Sequence, residues 1–193
     1  MNMTSDVKAS YDFFVRYCGS CINTMAQLSQ DSTNGVCLVN DSTPAFNFDL
    51  IKNTYFDENV KSADALYFTQ KDTILLIEFK NGNKIGTFKA DCRTKGKHSK
   101  IIFRYIMSYI GSKINLDYIK FKYIVVINST AAGLPSTSLS VSYAKHCKPY
   151  TKAQFNSFLV SNLVNKNIFG AQEYYDSIDI WVSNMFTTEL QKA

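Results

Sequence analysis

The sequence predicts an α/β protein in which helices flank a mixed β-sheet. Segments typical of helices and strands follow one another in the order helix, several strands, helix, strand and further helices, as in layered α/β domains. Two of the strand-like segments are separated by only a short polar gap, which indicates an antiparallel hairpin. An amphipathic helix then connects two apolar strands, and such a crossover favours parallel pairing of those strands.

The N-terminal segments predict one helix and two short strands. A helix is expected over residues 5–29, although Gly19 weakens the pattern. The apolar residues that recur there at helical spacing are Phe14, Cys18, Cys21, Met25 and Leu28. The next expected strands are VCLV (36–39) and AFNFDLI (45–51), which the turn-forming residues NDSTP separate.

The central segments carry the strongest periodic signals. Strands are predicted at ALYFT (65–69) and TILLIEFK (73–80), with QKD as the hairpin turn. A helix is predicted over 97–111, because apolar residues recur at helical spacing until Gly111 supplies a stop signal. The segment YIKFKYIVVIN (118–128) is β-branched, aromatic and mostly apolar. We expect it to form a strand that is buried on both faces.

Two further helices are predicted in the C-terminal part, over residues 151–169 and 173–191. In the second, six apolar residues share one helical face, namely Tyr175, Ile178, Val182, Met185, Phe186 and Leu190. Trp181 lies near that face. The helix at 173–191 is therefore expected to pack on its own sheet or, alternatively, to form the interface of a homodimer.

Length and composition indicate a globular domain. The chain has 193 residues, of which 46% are hydrophobic, enough to bury a core without disulfide or metal staples. We expect one domain over 1–193, with a core at about 5–128 and a helical extension at about 151–191. Five cysteines without a signal-peptide-like start favour free thiols in a reducing compartment. No apolar run reaches the roughly 18 residues that cross a bilayer, so we expect an intracellular, cytoplasmic protein without a membrane partner, a nuclear location remaining open.

Positive charge is concentrated after the second central strand, although the formal net charge is only +5. The eight basic residues between Glu78 and Arg104, both included, are Lys80, Lys84, Lys89, Arg93, Lys95, Lys97, Lys100 and Arg104. Such a run forms either a solvated face or a phosphate-binding surface. Some of these cations flank the expected N-terminus of the helix at 97–111, where backbone N–H groups favour an anion. We therefore predict that nucleic acid is bound by Arg93, Lys95, Lys97 and Lys100.

The apolar strand at 73–80 carries two charges at its end, Glu78 and Lys80. Because side chains alternate across a strand, both point to the same face. The hairpin brings Asp64, at the start of the preceding strand, to the same end of the sheet. Two carboxylates can hold Mg²⁺ or Mn²⁺ through hard oxygen ligands, and a nearby lysine can position the attacking water or neutralise charge that develops on phosphorus. The alternative is a strand-end ion pair with no further role.

Asp64 followed by Glu78-Phe79-Lys80 resembles the motif of the PD-(D/E)XK nuclease superfamily, whose restriction-endonuclease-like core has the order αβββαβ. The resemblance covers roughly residues 5–128. It implies that Asp64, Glu78 and the main-chain carbonyl of Phe79 bind Mg²⁺ or Mn²⁺. It also implies a metal-dependent nuclease with Asp64, Glu78 and Lys80 as catalytic residues, with DNA favoured over RNA as the substrate, and with a homodimer among the assemblies that members form.

A different function remains open beside catalysis. Many members of that superfamily carry a glutamate in the first helix, whereas residues 5–29 contain only Asp6 and Asp12 as acidic residues. This difference favours, as the alternative, a nuclease-fold protein without catalysis that binds nucleic acid or another protein. The two hypotheses predict different effects of replacing Lys80. An enzyme would lose turnover, whereas a binding protein would keep its function.

Cysteine and histidine do not predict a metal site. The Cys18-Gly19-Ser20-Cys21 stretch has zinc or redox spacing, but it shares an apolar helix face with Phe14, which favours core packing. His146-Cys147 lacks a second ligand pair of standard spacing. His98 either contacts phosphate or caps the following helix.

Overall fold

The protein folds into a six-stranded mixed sheet flanked by helices, in a computed structural model that describes residues 3–56, 60–81, 85–109, 114–128 and 175–193. For residues 85–90, 93 and 109 within these ranges, the structure describes only the main chain. The helices are α1 (Ser5–Cys18), α2 (Met25–Leu28), α3 (Phe48–Tyr55), α4 (Ile85–Tyr109) and α5 (Phe186–Lys192). The strands are β1 (Ile22–Thr24), β2 (Pro44–Asn47), β3 (Ala65–Phe68), β4 (Thr73–Lys80), β5 (Lys120–Ile127) and β6 (Ser177–Val182).

The six strands lie side by side in chain order, β1 to β6. Neighbours from β1 to β4 are antiparallel, and the β3–β4 pairing of Ala65 with Ile77 confirms the predicted hairpin. Strands β4 and β5 are parallel, with Lys80 beside Ile127, and α4 connects them as the predicted crossover. Strand β6 adds in parallel to β5. The predicted α/β class with a mixed sheet is thereby confirmed.

Side-chain alternation divides the core into two layers, one on each face of the sheet. On the first face, Ile74 and Leu76 of β4 belong to the cluster that contains Phe14 of α1 and Phe103 of α4. The rings of Phe14 and Phe103 are stacked, with centroids 5.2 Å apart. On the second face, the buried cluster consists of Met25, Val39, Ala45, Ala65, Leu75, Ile77, Ile124, Val126, Trp181, Phe186 and Leu190. The central strands therefore have apolar neighbours on both sides, as predicted for residues 118–128.

The single helix predicted over 5–29 is wrong, because α1 ends at Cys18. A 3₁₀ turn at Gly19–Cys21 and the strand β1 follow, before α2 begins at Met25. Glycine is a poor helix former, and the Thr24 hydroxyl accepts a hydrogen bond from the Gln27 N–H at 3.2 Å, which caps a new helix. The helical spacing of the apolar residues was misleading, since Cys18 and Met25 belong to opposite core layers.

The two short strands predicted upstream of the hairpin are confirmed only in part. Residues 36–39 form no strand, and Cys37 makes an isolated bridge with Gln30. The strand predicted over 45–51 ends at Asn47, whose side chain accepts a hydrogen bond from the Leu50 N–H at 2.9 Å. This N-cap starts α3 inside the predicted strand.

Helix α4 begins at Ile85, well before the predicted start at residue 97. The polar, glycine-containing stretch between those positions resembles a loop in sequence. Gly96, however, lies inside the helix, where a side chain would come within 3.3 Å of the Tyr123 ring. This glycine allows a close approach of helix and strand rather than a turn. The four cations predicted at the helix N-terminus therefore lie within the helix, and the dipole argument for their phosphate contacts does not apply.

The helix predicted over 173–191 is also wrong. Residues Ser177–Val182 form the parallel strand β6, and helical structure starts only at Ser183–Met185 and continues in α5. Within β6, Ile180 and Trp181 point to opposite core layers, as expected for a strand. Trp181 is buried against Phe186, with ring centroids 5.9 Å apart, so that it packs on its own sheet. The helix predicted over 151–169 lies outside the described residues.

Candidate active site

Glu78 and Lys80 point from the end of β4 toward the layer that contains α4. The ammonium nitrogen of Lys80 lies 2.7 Å from Oε1 of Glu78. The Glu78 side chain is 0% exposed, although it carries an ionisable carboxyl group. Burial of a carboxylate is costly without compensation, so the surroundings of Glu78 determine what this end of the sheet does.

Asp64 lies beside Glu78, as the sequence predicted. It directly precedes β3, and the pairing of Ala65 with Ile77 brings Asp64 next to Glu78 on the same face. The Phe79 N–H donates a hydrogen bond to Oδ2 of Asp64 at 2.7 Å. The Asp64 carbonyl accepts a hydrogen bond at 3.1 Å from the N–H of Phe48, which fixes the start of β3 against α3. The two carboxylates and the Phe79 backbone therefore lie together.

Lys95 of α4 connects the two carboxylates. Its ammonium nitrogen lies 3.0 Å from Oδ1 of Asp64 and 2.9 Å from Oε1 of Glu78. A serine one turn further along α4 links the same region to the sheet: Ser99 Oγ donates to the Lys95 carbonyl at 2.6 Å and accepts from the Ala63 N–H at 2.8 Å. Lys95 thus belongs to the centre of the site, whereas the sequence predicted it on a nucleic-acid-binding surface.

Lys80 has a second acidic partner, Asp91 of α4. Oδ2 of Asp91 accepts a hydrogen bond from the Lys80 ammonium at 2.7 Å, and Oδ1 lies 2.7 Å from the ammonium of Lys61. Three carboxylates and three ammonium groups, those of Asp64, Glu78, Asp91, Lys61, Lys80 and Lys95, therefore alternate across this end of the sheet. Lys80 is held at two points, which fixes its position.

The pKa values of these groups follow from burial and mutual charge. Burial and the nearby Asp64 charge raise the pKa of Glu78 to about 8, although Lys95 and Lys80 oppose this rise. Burial also raises the pKa of Asp64 against the effect of Lys95. For both lysines, burial disfavours the charged form, but the adjacent carboxylates more than compensate and raise their pKa values. The lysines therefore stay protonated, whereas the raised pKa values of Glu78 and Asp64 favour the neutral acids unless a cation compensates their charge.

The buried carboxylate oxygens suit a hard divalent cation. Oε2 of Glu78 is buried and has no hydrogen-bond partner among the described residues, and the ammonium groups near Oε1 are charge contacts rather than aligned hydrogen bonds. An unpaired buried carboxylate oxygen is costly unless a cation or water compensates. Among the described residues, no cluster of three or more Asp, Glu, His or Cys side chains is arranged to hold a metal ion by itself. Asp64 and Glu78 would thus bind an ion with the Phe79 carbonyl, water or substrate oxygens.

These groups line a polar cleft with a volume of about 310 Å³. Its walls also include the end of α2 and the segment that follows it, namely Leu28, Ser29, Gln30, Asp31 and Ser32. Asp31 accepts a hydrogen bond from the Thr33 N–H at 2.8 Å, which lowers its pKa. The Phe79 side chain points to the other core layer and contacts Phe186. The cleft is therefore lined by Asp64 and by the ammonium-bearing side chains of Lys80 and Lys95, with the buried Glu78 carboxylate at its wall.

The other basic residues of α4 whose side chains the structure describes do not line this cleft. Lys97 and Arg104 lie on the outer side of the helix, where Arg104 pairs with Asp117 at 2.6 Å. The Lys100 ammonium lies 4.8 Å from the Phe121 ring centroid, and burial lowers its pKa. The Arg93 side chain lies outside the described part of the structure. Of the three predicted phosphate-binding residues whose side chains are described, only Lys95 contacts the carboxylates.

The other sequence motifs have structural roles where they are described. Cys18 is buried in the first core layer, as predicted, and burial together with nearby Cys21 raises its pKa to about 11. Nδ1 of His98 accepts a hydrogen bond from the Lys61 N–H at 3.4 Å, instead of capping the helix. His146 and Cys147 lie outside the described residues.

No protein-family model matches the sequence, and neither a curated protein nor a solved structure matches the chain. Among the described residues, no helix is both long and apolar enough to cross a membrane. The residues that line the cleft are therefore the basis for a functional proposal.

Proposed function

We propose that the protein is a metal-dependent nuclease that hydrolyses phosphodiester bonds in the cleft at the end of β4. The observation that carries the proposal is the convergence of Asp64, Glu78 and Lys80 on one face, with Oε2 of Glu78 buried and unpaired. Both ammonium groups contact Oε1, whereas Oε2 has no partner among the described residues and is therefore open to a further cation. The order α1, β2, β3, β4, α4, β5 is compatible with the αβββαβ core that the sequence resemblance implies.

Each residue has a distinct role in the proposed reaction. Asp64 and Glu78 would hold Mg²⁺ or Mn²⁺, and the ion would supply Lewis-acid activation of the phosphodiester and of water. Lys80, which Asp91 and Glu78 orient, neutralises charge that develops on the phosphoryl oxygens. The main chain from Glu78 to Lys80 is held in place by its pairing with β5 and, at Phe79, by the hydrogen bond to Asp64.

The direct test is incubation of the purified chain with plasmid, linear and single-stranded DNA and with RNA, in the presence of Mg²⁺ or Mn²⁺. Cleavage that stops in EDTA and in Asp64→Asn supports the proposal. Absence of cleavage of every substrate, together with absence of metal binding in calorimetry, would disprove it. Comparison of the substrates also tests the preference for DNA.

Lys80→Ala separates catalysis from binding. We expect it to lower turnover by about 100- to 1000-fold, because one electrostatic contact to the transition state is lost. Affinity for nucleic acid and the cooperativity of unfolding should be retained. Lys61→Ala is the matched control, since Lys61 contacts Asp91 but neither Asp64 nor Glu78. Equal losses of turnover in both variants would contradict a catalytic role of Lys80.

The second candidate function is a nuclease-fold binding protein without catalysis. It is favoured by the internal pairing of the site, where lysines already contact both Asp64 and Glu78. Such a protein would bind nucleic acid or another protein equally well with Lys80→Ala and in EDTA. Binding assays under both conditions therefore distinguish the two candidates.

A further inference from the structure

Lys95 occupies the space between the two carboxylates. Its ammonium nitrogen is within 3.0 Å of one oxygen of Asp64 and one oxygen of Glu78, and its side chain is 15% exposed. By contrast, Lys80 contacts only one of these two carboxylates and is held by Asp91 as well. Lys95 is therefore the group whose position depends on Asp64 and Glu78 together.

A divalent cation shared by Asp64 and Glu78 would lie about 2.0–2.6 Å from an oxygen of each. The ammonium group of Lys95 already contacts one oxygen of each. Two positive groups in that volume would repel each other at contact distance, and each would lose part of its coordination. Oδ2 of Asp64 already accepts a hydrogen bond from the Phe79 N–H, so an ion shared with Glu78 would use Oδ1, the oxygen that the ammonium group of Lys95 contacts. The ion and the ammonium group of Lys95 therefore compete for the two acids.

We propose that Lys95 is a tethered counter-ion that competes with the divalent cation for Asp64 and Glu78. This inference rests on the proposed metal-dependent function and concerns the regulation of the same site. Without metal, Lys95 neutralises the two acids and keeps the site folded. When metal enters, the flexible stem of Lys95 carries the ammonium group into the cleft that it lines, where it faces the anionic substrate. Metal and substrate then bind cooperatively, since the substrate supplies a new partner for the displaced lysine.

The first experiment compares the metal affinity of wild type, Lys95→Met and Lys97→Met by titration calorimetry with Mg²⁺ and Mn²⁺. Removal of the competitor should tighten binding by about tenfold in Lys95→Met, in line with the loss of one charged contact. Lys97→Met removes the same charge from the same helix without touching the carboxylates, and its affinity should equal that of wild type. Equal affinities of Lys95→Met and Lys97→Met would overturn the proposal.

The second experiment uses wild type and so does not depend on the stability of a variant. Reductive methylation followed by mass spectrometry measures how reactive each lysine is. The ammonium group of Lys95 should become several-fold more reactive when Mn²⁺ is added, because its two carboxylate partners are withdrawn, whereas Lys97 should not change. Bound Mn²⁺ with unchanged reactivity of Lys95 would overturn the proposal.

The outcomes separate this inference from the proposed function. Metal binding and cleavage by wild type, without tighter binding by Lys95→Met, would disprove only the competition by Lys95. Tighter binding and metal-dependent exposure of Lys95, without cleavage of any nucleic acid, would support the competition and disprove the nuclease. No binding of Mg²⁺ or Mn²⁺ by wild type or by Lys95→Met would overturn both.

Discussion

Glu78 is a candidate catalytic residue, and its side chain is unusually deeply buried. Its carboxylate is fully buried, yet the two ammonium groups within 3 Å come from different elements, Lys80 from β4 and Lys95 from α4. Buried ion pairs contribute little to stability, because desolvation offsets their attraction. The arrangement therefore has a cost to folding that a binding or catalytic role would explain.

Asp91 should make stability depend on pH in the acid range. Contacts with Lys61 and Lys80 lower its pKa from the ordinary 3.8 to about 2, although burial opposes this. A carboxylate with a lowered pKa stabilises the fold above its unfolded-state pKa and loses that contribution as pH falls toward its folded-state pKa. Asp91→Asn should lower the free energy of unfolding by about 1 kcal/mol at pH 7, after allowance for solvent screening.

Urea unfolding of wild type and Asp91→Asn at pH 7, 5 and 3 measures this effect. The difference between the two proteins should shrink below pH 4. Asp12→Asn is the control, because Asp12 pairs with Lys8 on the exposed side of α1. A difference that is the same at pH 7 and pH 3 would show that Asp91 acts by packing rather than by charge.

At the level of residues, the sequence predicted Asp64, Glu78 and Lys80 because their positions depend only on a hairpin and on side-chain alternation. Both are short-range features that the sequence encodes directly. The roles of Lys95 and Asp91 depend on where α4 crosses the sheet and how it is rotated. Asp91 and Lys95 are about one helical turn apart, which indicates that both face the same side of a helix. Because the helix was predicted to begin only at residue 97, this spacing was not used.

Among the elements, α4 determines the geometry of the site, and Ser99 connects it to the sheet. The Ser99 hydroxyl joins the Lys95 carbonyl to the buried Ala63 N–H, which directly precedes Asp64. Ser99→Ala should lower the free energy of unfolding by about 1–3 kcal/mol, because the Ala63 N–H loses its partner while it stays buried. Chemical denaturation measures the change.

Ser108→Ala is the matched control for Ser99→Ala. Ser108 lies on the exposed side of the same helix, so its replacement should change stability by less than about 0.5 kcal/mol. Similar effects of the two substitutions would mean that the hydrogen bond to Ala63 carries no stability. Metal affinity should also tighten in Ser99→Ala only, because only this change loosens Lys95, which competes with the metal for Asp64.

The elements that the sequence predicted correctly are those in which one pattern dominates. Strand β3 is apolar and partly aromatic, and strands β4 and β5 are mostly apolar with several β-branched residues. Around 5–29, 45–51 and 173–191, apolar residues fit helix and strand periods at once, and tertiary contacts decide between them. In β6, pairing with β5 outweighs the helical spacing of Ile178 and Val182. Local sequence contains no information about that long-range pairing.

For the molecule as a whole, the outer side of α4 is the candidate surface for extended nucleic acid. Lys97 lies there with Arg104, beyond the cleft that contains Lys95. Lys97→Ala should weaken binding equally across sequences and make the slope of log affinity against log salt shallower by about 0.7–0.9 if one phosphate contact is lost. Binding titrations at several salt concentrations measure both quantities.

Lys8→Ala is the control for this experiment, because Lys8 carries the same charge on the exposed side of α1 and pairs with Asp12. It should leave the salt slope unchanged. If Lys97→Ala also leaves both affinity and slope unchanged, the outer side of α4 is not part of the substrate surface, and the cleft alone binds the nucleic acid.

Strands that follow chain order across the sheet should assemble one after another. The segment between β3 and β4 is short, whereas the segments that precede β5 and β6 are the longest between neighbouring strands and cost more chain entropy to close. We therefore expect the antiparallel part to form early and the parallel part late. Asp64 and Glu78 would then meet in an open, hydrated intermediate. They would become dehydrated only when α4 docks and delivers Lys95, so that the final folding step and the neutralisation of the two acids are a single event.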